Sequence, residues 1–101
     1  MINNEIKLEG YAYKYELRNA PNGKKFCRFG LKFYNGKDKD GNSKYAFVSC
    51  KGFDDYALSD KEKVIVNGSL SQSEWTDKQG NQKKELQILV SSIDRSDFPL
   101  R

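Results

Sequence analysis

An alternating stretch near the middle of the chain, residues 44–51 (KYAFVSCK), constrains the fold more than any other. Successive side chains of an extended strand point to opposite faces. The even positions are small and apolar: Ala46, Val48 and Cys50. The odd positions are aromatic, polar or basic: Tyr45, Phe47, Ser49 and Lys51. The pattern therefore predicts a β-strand with two faces of different chemistry.

Two orientations of this strand are open. If the rings faced the core, the small apolar row would be exposed and Lys51 would point inward, and both outcomes are unfavourable. The favoured orientation leaves Tyr45 and Phe47 outside, next to Lys51. Outward rings beside a cation are typical of surfaces on which unpaired bases stack while the cation holds the phosphate backbone. We interpret the odd face as a candidate nucleic-acid-binding surface.

The composition limits both the fold and the chemistry. A chain of 101 residues with 37% hydrophobic and 32% charged residues can form one domain with a thin core, such as a small barrel. The net charge of +4 favours an acidic partner. Because the chain has no histidine and its two cysteines lack CxxC spacing, we expect no zinc site, no Cys/His nucleophile and no cofactor. Cys27 and Cys50 are predicted to be buried thiols of a reduced, cytoplasmic protein.

The amino terminus, MINNEIKLEG, carries acidic residues and no apolar run. It therefore predicts neither a signal peptide nor a membrane span.

Alternation recurs elsewhere, so the sequence predicts five strands: residues 6–15, 26–34, 44–51, 63–75 and 85–93. Gly10 is expected at a bulge or bend, and residues 21–23 (PNG) at a tight turn. Residues 53–63 (FDDYALSDKEK) lack alternation and predict a short helix or turn that starts at Asp54 or Asp55. The element order is that of a five-stranded OB-fold Greek-key barrel, an all-β fold, with one short helix between strands three and four.

Two features of the strands leave alternatives open. Tyr11, Tyr13 and Tyr15 predict either a cross-strand aromatic ladder or an exposed surface for a partner chain. Asp54 and Asp55 could suit a metal or a catalytic site, but no histidine, third carboxylate or phosphate loop accompanies them. Helix capping is the favoured role, and the sequence predicts no enzyme.

The second strand extends the candidate surface, because its even positions resemble the odd face of the third. If the two strands pair as a hairpin through residues 35–43, their rings and cations share one face. Trp75 stands beside a charged hairpin tip and is interpreted as a surface ring. The stacking candidates are Tyr34, Tyr45, Phe47 and Trp75. The phosphate-binding candidates are Arg28, Lys32, Lys37, Lys39, Lys51, Lys78, Lys83 and Lys84.

Four stretches in order resemble the bacterial and phage single-stranded DNA-binding proteins of the SSB type. They are MINN with IKLEG, ELRNAPNG at 16–23, LSDKEKVIVNGSL at 58–70 and EWTDKQGNQ at 74–82. The resemblance runs from Met1 to about Ile93. It implies an OB-fold, over residues 1–95, that binds single-stranded DNA with little sequence preference during replication, recombination or repair. It also implies a homo-oligomer, either a dimer or a tetramer, in the bacterial cytoplasm or nucleoid, with replication or recombination proteins as further partners.

The resemblance assigns roles to particular positions. Trp75 and Tyr45 match positions where rings stack on bases, and Phe47 lies on a strand face where the family places further DNA contacts. Lys51 stands on the same face where many members have an aromatic residue, and Lys37 stands at a third aromatic position. These departures imply fewer stacked bases and more reliance on charge.

The carboxyl end departs from the family pattern. Chromosomal members carry a long Gly/Pro/Gln-rich tail with an acidic, Phe-containing tip, whereas residues 96–101 (SDFPLR) form a short extension. A phage or mobile-element protein, a shortened chain and a relative of primosomal replication protein N all fit this ending. The alternative function is a protein-interaction module of a replication or primosome complex, in which the tyrosine row and FPL dock a partner.

Overall fold

The computed structural model describes residues 3–95, which form a closed barrel of five strands. The strands are β1 (Ile6–Asn19), β2 (Lys25–Lys37), β3 (Ser43–Gly52), β4 (Lys63–Thr76) and β5 (Gln82–Arg95). Their order around the barrel is β1-β2-β3-β5-β4, and β4 returns to β1. β3 and β5 pair in parallel, and the other pairs are antiparallel. The predicted five-stranded, OB-fold-like barrel is confirmed, and the extension at 96–101 lies outside the described residues.

The core is built from the apolar row of each strand. The even row of β3 faces inward, as predicted, and Cys50 is fully buried at its end. Both cysteines are free and buried, and burial raises the pKa of the Cys50 thiol to about 12. The buried apolar residues are Ala12, Cys27, Phe29, Leu31, Cys50, Leu58, Val64, Val66, Ile88 and Val90.

The bulge in β1 is not at Gly10, and that prediction was wrong. Gly10 stays in the regular ladder, opposite Phe33 on β2 and Val64 on β4. A Cβ at Gly10 would lie 2.2 Å from the carbonyl oxygen of Lys32, so glycine is required for the close approach of β1 and β2. The irregularity lies between Tyr13 and Glu16, where Lys14 has a φ of 57°.

This bulge divides the predicted tyrosine row between the two faces of β1. Tyr13 packs edge-on against Phe47, with 5.6 Å between ring centroids. Tyr15 instead packs against the core and lies 6.1 Å from Phe29. Because an extra residue in a strand reverses the alternation beyond it, the three tyrosines form neither a single ladder nor a single exposed row.

The predicted helix between β3 and β4 is absent from the described residues. No helix in residues 3–95 is long and apolar enough to cross a membrane. The connector at 53–62 is held by contacts between its own backbone and distant side chains. The Tyr15 hydroxyl donates to Asp55 Oδ1 at 2.7 Å and accepts from the backbone N–H of Tyr56 at 2.8 Å. Arg95 on β5 donates to the Tyr56 carbonyl at 2.6 Å and pairs with Glu62. Asp55 is therefore a tertiary hydrogen-bond acceptor and not a helix cap.

The two long hairpins end in turns of the same construction, DKDGN at 38–42 and DKQGN at 77–81. Each aspartate uses one side-chain oxygen to accept from the backbone N–H groups two and four residues later, at 2.8–3.0 Å. Gly41 and Gly80 supply the positive φ that each turn needs, at 86° and 84°. Both tips are shorter than predicted, because the strands continue into the polar segments on either side.

Candidate nucleic-acid interface

The outer face of the β2–β3 hairpin brings the predicted rings and cations together. Four cross-strand pairs lie along it in this order: Arg28 with Lys51, Gly30 with Ser49, Lys32 with Phe47, and Tyr34 with Tyr45. We call this surface the platform and define it by six residues: Arg28, Lys32, Tyr34, Tyr45, Phe47 and Lys51. Its position follows from the burial of the opposite row of each strand.

The rings of the platform are exposed, and their neighbours fix their orientation. Tyr34, Tyr45 and Phe47 are 55%, 52% and 63% exposed. Tyr34 and Tyr45 meet edge to face at a centroid distance of 6.2 Å. Lys32 Nζ lies 5.0 Å from the centroid of Tyr45, and Tyr13 supports Phe47 from β1. Exposed ring faces held in this way can accept a flat base without first becoming ordered.

A groove joins the platform to Trp75 on the β4–β5 hairpin. The groove has a volume of about 460 Å³ and its lining includes Trp75, Arg28 and Lys51. We call it the Trp75 groove. The Trp75 side chain is 46% exposed and lies directly opposite Lys83. The predicted surface ring of Trp75 therefore shares a groove with Arg28 and Lys51 of the platform.

The remaining candidate lysines lie in different places. The irregularity near the end of β2 sets Lys37 opposite Ser43, on the face of β3 that carries Tyr45. Lys83 shares the face of Trp75 and lies 3.9 Å from the Asp77 carboxylate. Lys84 pairs with Glu74, one step along the strands, so strand alternation directs it to the opposite face.

Lys39 and Lys78 occupy the two hairpin turns.

Several residues that line the Trp75 groove were not predicted from the sequence. Phe26 lines the Trp75 groove, and strand parity could have identified it, since it is on the same row of β2 as Arg28. Glu74, Glu85 and Gln87 also line the groove, and the Glu85 carboxylate accepts a hydrogen bond from the Ser49 hydroxyl at 2.9 Å. No charge pattern in β5 marked Glu85 as part of the surface, because its position depends on the parallel pairing of β3 and β5.

Residues 3–95 contain no group of three His, Cys, Asp or Glu side chains placed to hold a metal ion.

Solved structures show the same fold. Among 164 matching chains is one described as "Plasmodium falciparum SSB complex with ssDNA", which superposes with a TM-score of 0.82 at 22% sequence identity. The match covers 96% of this chain and 97% of the Plasmodium falciparum chain. No curated protein sequence matches. The model of the single-strand binding protein family matches residues 4–96, nearly the whole chain. The chain therefore belongs to the single-strand binding protein family, a non-enzymatic family of single-stranded DNA-binding proteins.

Proposed function

We propose that single-stranded DNA crosses the platform and enters the Trp75 groove, with bases on the rings and phosphates on the cations. The observation that carries this proposal is that exposed rings and cations share one hairpin face, which is continuous with the groove. Tyr34, Tyr45, Phe47 and Trp75 would each stack one base. Such stacking contributes about 1–3 kcal/mol per base.

The cations of the platform would hold the phosphates between the stacked bases. Each phosphate neutralised on a single strand contributes roughly 0.7 to the slope of log affinity against log salt. Lys32 lies beside Phe47, and Arg28 and Lys51 lie where the platform meets the Trp75 groove. Lys37 and Lys83 extend the cationic surface toward the two hairpin tips. Lys39 and Lys78, on the tips themselves, would contact the strand only where it leaves the platform. Lys84, on the opposite face, is the candidate with the least structural support.

Stacking also accounts for the proposed low sequence preference. Every base has a flat aromatic face, so a ring accepts any of the four. The centre of the platform is of low relief, because Gly30 and Ser49 face each other there. Few side chains of the platform could form hydrogen bonds with base edges. The side chains that could do so, Glu74, Glu85 and Gln87, line the Trp75 groove.

The proposal extends to the cellular setting. Family membership supports a part in replication, recombination or repair in the cytoplasm, as a dimer or tetramer. The mass in solution, measured with and without oligonucleotide, tests the oligomeric state. The alternative of a protein-interaction module has less support, because the bulge in β1 separates Tyr13 from Tyr15. The FPL segment in that alternative lies outside the described residues.

Trp75 provides the direct test, because it is the single tryptophan of the chain. Titration with an unstructured oligonucleotide should quench its fluorescence as a base stacks on the indole. Repeating the titration at increasing salt should weaken binding along a straight line of log affinity against log salt. Absence of both quenching and salt-dependent binding would overturn the proposal.

A further inference from the structure

Lys51 lies between two phenylalanine rings at the end of the platform nearest the Trp75 groove. Its Nζ is 5.0 Å from the centroid of Phe26 and 5.7 Å from that of Phe53. Phe53 follows β3 and is 63% exposed, as much as Phe47 on the platform. Phe53 beside Lys51 is an exposed ring next to a cation, which is the same chemistry as that of the platform. Phe53 lies outside the proposed path of the DNA across the platform and into the Trp75 groove.

A second cavity opens beside these rings, against the turn between β1 and β2. It has a volume of about 320 Å³, and we call it the terminal pocket. Its lining includes Pro21, Lys24, Lys25, Phe26, Lys51 and Phe53. Three of its lining residues are lysines and none is acidic. The pocket therefore offers apolar rings and positive charge without the carboxylates that line the Trp75 groove.

Hydrogen bonds hold the turn that carries the two extra lysines. Ala20 donates its N–H to the Lys24 carbonyl at 2.7 Å, and the Lys24 N–H donates to Asn22 Oδ1 at 3.0 Å. Gly23 has a φ of 83°, which completes the tight reversal. Because the backbone is fixed by these contacts, Lys24 and Lys25 are presented together at the rim of the pocket.

The terminal pocket is continuous with the Trp75 groove. Phe26 and Lys51 line both cavities and form the ridge between them. A strand that leaves the groove over Lys51 would place its next base against Phe53 and its next phosphate near Lys24 and Lys25. An acidic peptide would satisfy the lysines as well, but continuity with the groove favours the nucleic acid.

We infer that the terminal pocket is an additional nucleotide subsite, which binds one nucleotide beyond the Trp75 groove. The inference rests on the proposed function. In this subsite the Phe53 ring stacks on the base and the lysines of the β1–β2 turn hold the phosphate. Lys51 spans the ridge and serves the nucleotides on both of its sides.

The test is a length series of thymidine oligonucleotides, from about 4 to about 16 nucleotides, the range of site sizes for one OB-fold. Phe53→Ala should lower the affinity for the longest oligonucleotide by about fivefold or more, the loss of one stacked base. The shortest oligonucleotide, which the platform alone accommodates, should bind the variant and the wild type equally. Phe53→Tyr should bind like the wild type, whereas Phe53→Leu, which is apolar but not aromatic, should behave like Phe53→Ala.

The turn lysines are tested through the salt slope. The double substitution Lys24→Gln, Lys25→Gln should reduce that slope by up to about 1.4 for long oligonucleotides, two phosphate contacts at 0.7 each, and leave short ones unaffected. The double substitution Lys7→Gln, Lys63→Gln also removes two charges, at positions on the β1–β4 pair that line neither cavity, and is the control for net charge.

The outcomes separate the two proposals. A wild-type protein that binds no oligonucleotide overturns the proposed function itself. A wild-type protein that binds, together with Phe53→Ala of equal affinity at every length, overturns the subsite alone. Equal weakening at all lengths would also overturn it as a terminal subsite, because Phe53 would then act within the main path. Binding of an oligoglutamate peptide that Phe53→Ala abolishes, with oligonucleotide affinity unchanged, would assign the pocket to a protein partner instead.

Discussion

Arg28 and Lys51 lie directly opposite each other on β2 and β3. Side chains at such positions have Cβ atoms about 4.5–5.5 Å apart, and like charges placed there destabilise the sheet. The salt bridges within residues 3–95 involve neither side chain. Arg28 also lies directly opposite Glu16 on β1, and opposite charges at such positions stabilise the sheet. The repulsion from Lys51 is therefore offset at Arg28 by the attraction to Glu16.

Replacing Arg28 with glutamine should separate stability from binding. Arg28→Gln removes the repulsion from Lys51 and the attraction to Glu16 together, so the free energy of unfolding should change by less than about 1 kcal/mol. The slope of log affinity for single-stranded DNA against log salt should fall by roughly 0.7, because one phosphate contact is lost. Denaturant unfolding and oligonucleotide titration measure the two quantities. Lys7→Gln, with the same change of charge, should alter neither, and a change of stability larger than about 1 kcal/mol in Arg28→Gln would contradict the balance of the two cross-strand pairs.

Trp75 and Lys51 should contribute to binding in different ways. Trp75→Ala should weaken binding by about 1–3 kcal/mol, since one stacking surface is lost, and should leave the salt slope almost unchanged. Lys51→Gln should lower the slope by roughly 0.7. Anisotropy of a labelled oligonucleotide measures both variants without relying on tryptophan fluorescence, and Trp75→Phe is the control that retains a ring. Equal changes of slope in the two variants would rule out this division of roles.

The Tyr15 hydroxyl connects β1 to the connector between β3 and β4, so Tyr15→Phe should destabilise the barrel. The substitution leaves the Tyr56 N–H without its acceptor, at a cost of about 1 kcal/mol. Thermal unfolding measures the loss. Tyr11→Phe removes the same atom from an exposed position on β1 and should have little effect.

The contribution of the Tyr15 hydroxyl to the free energy of unfolding should depend on pH in the acid range. Hydrogen bonding to the Tyr15 hydroxyl, followed by the Ala57 N–H, lowers the pKa of the Asp55 carboxyl below its ordinary value of 3.8. A lowered pKa in the folded state stabilises the fold above the ordinary pKa, and that stabilisation is lost as the pH falls through the folded value. The stability difference between the wild type and Tyr15→Phe should therefore be constant near neutral pH and should narrow below about pH 4. A constant difference down to pH 2 would contradict the role of Asp55.

The platform could be predicted because its chemistry follows strand parity. In β3 the small apolar residues alternate with a row of aromatic, polar and basic residues, and only one orientation buries the apolar row. β2 repeats the pattern, and a single hairpin then aligns the two outer rows. Phe26 lies on the same face of β2 as Arg28 and could have been predicted from the same alternation. Phe53 could not have been predicted in this way, because it follows Gly52 beyond the alternating residues and its exposure depends on the fold of the connector.

The features that could not be predicted depend on contacts between distant residues. The connector after β3 has helix-like composition, but hydrogen bonds from Tyr15 and Arg95 hold it in a non-helical path. The bulge at Lys14 has no glycine to mark it, and Gly10 attracted the prediction because glycine is common at bulges. Glu85 joins the interface only through the pairing of β3 with β5, which no local pattern encodes.

Gly10 and Gly30 should respond in opposite ways to the same added methyl group. In Gly10→Ala the new Cβ would meet the Lys32 carbonyl oxygen at 2.2 Å, so β1 and β2 must move apart at a cost of about 1–3 kcal/mol or more. In Gly30→Ala the nearest atom is Phe47 Cδ2 at 3.9 Å, which is ordinary contact. The second variant should match or slightly exceed the stability of the wild type, because alanine has less conformational freedom than glycine in the unfolded chain. Urea unfolding of both variants decides this, and similar losses would contradict the close approach at Gly10.

Glu85 is one of two carboxylates, with Glu74, in the groove that Arg28 and Lys51 also line, so neutralising it should strengthen DNA binding. Glu85→Gln keeps a side-chain oxygen for the Ser49 hydroxyl and removes the negative charge near Arg28 and Lys51. The affinity should rise by about 0.5–1 kcal/mol, roughly two- to fivefold, the interaction of unit charges several ångströms apart in a water-like dielectric. The gain should shrink as salt rises from 0.1 to 1 M, because the screening length falls from about 10 to about 3 Å. Glu9→Gln, which removes the same charge from β1 beside Lys63, distinguishes a local effect from one of net charge. A fall in affinity for Glu85→Gln would show instead that the carboxylate accepts hydrogen bonds from the bases.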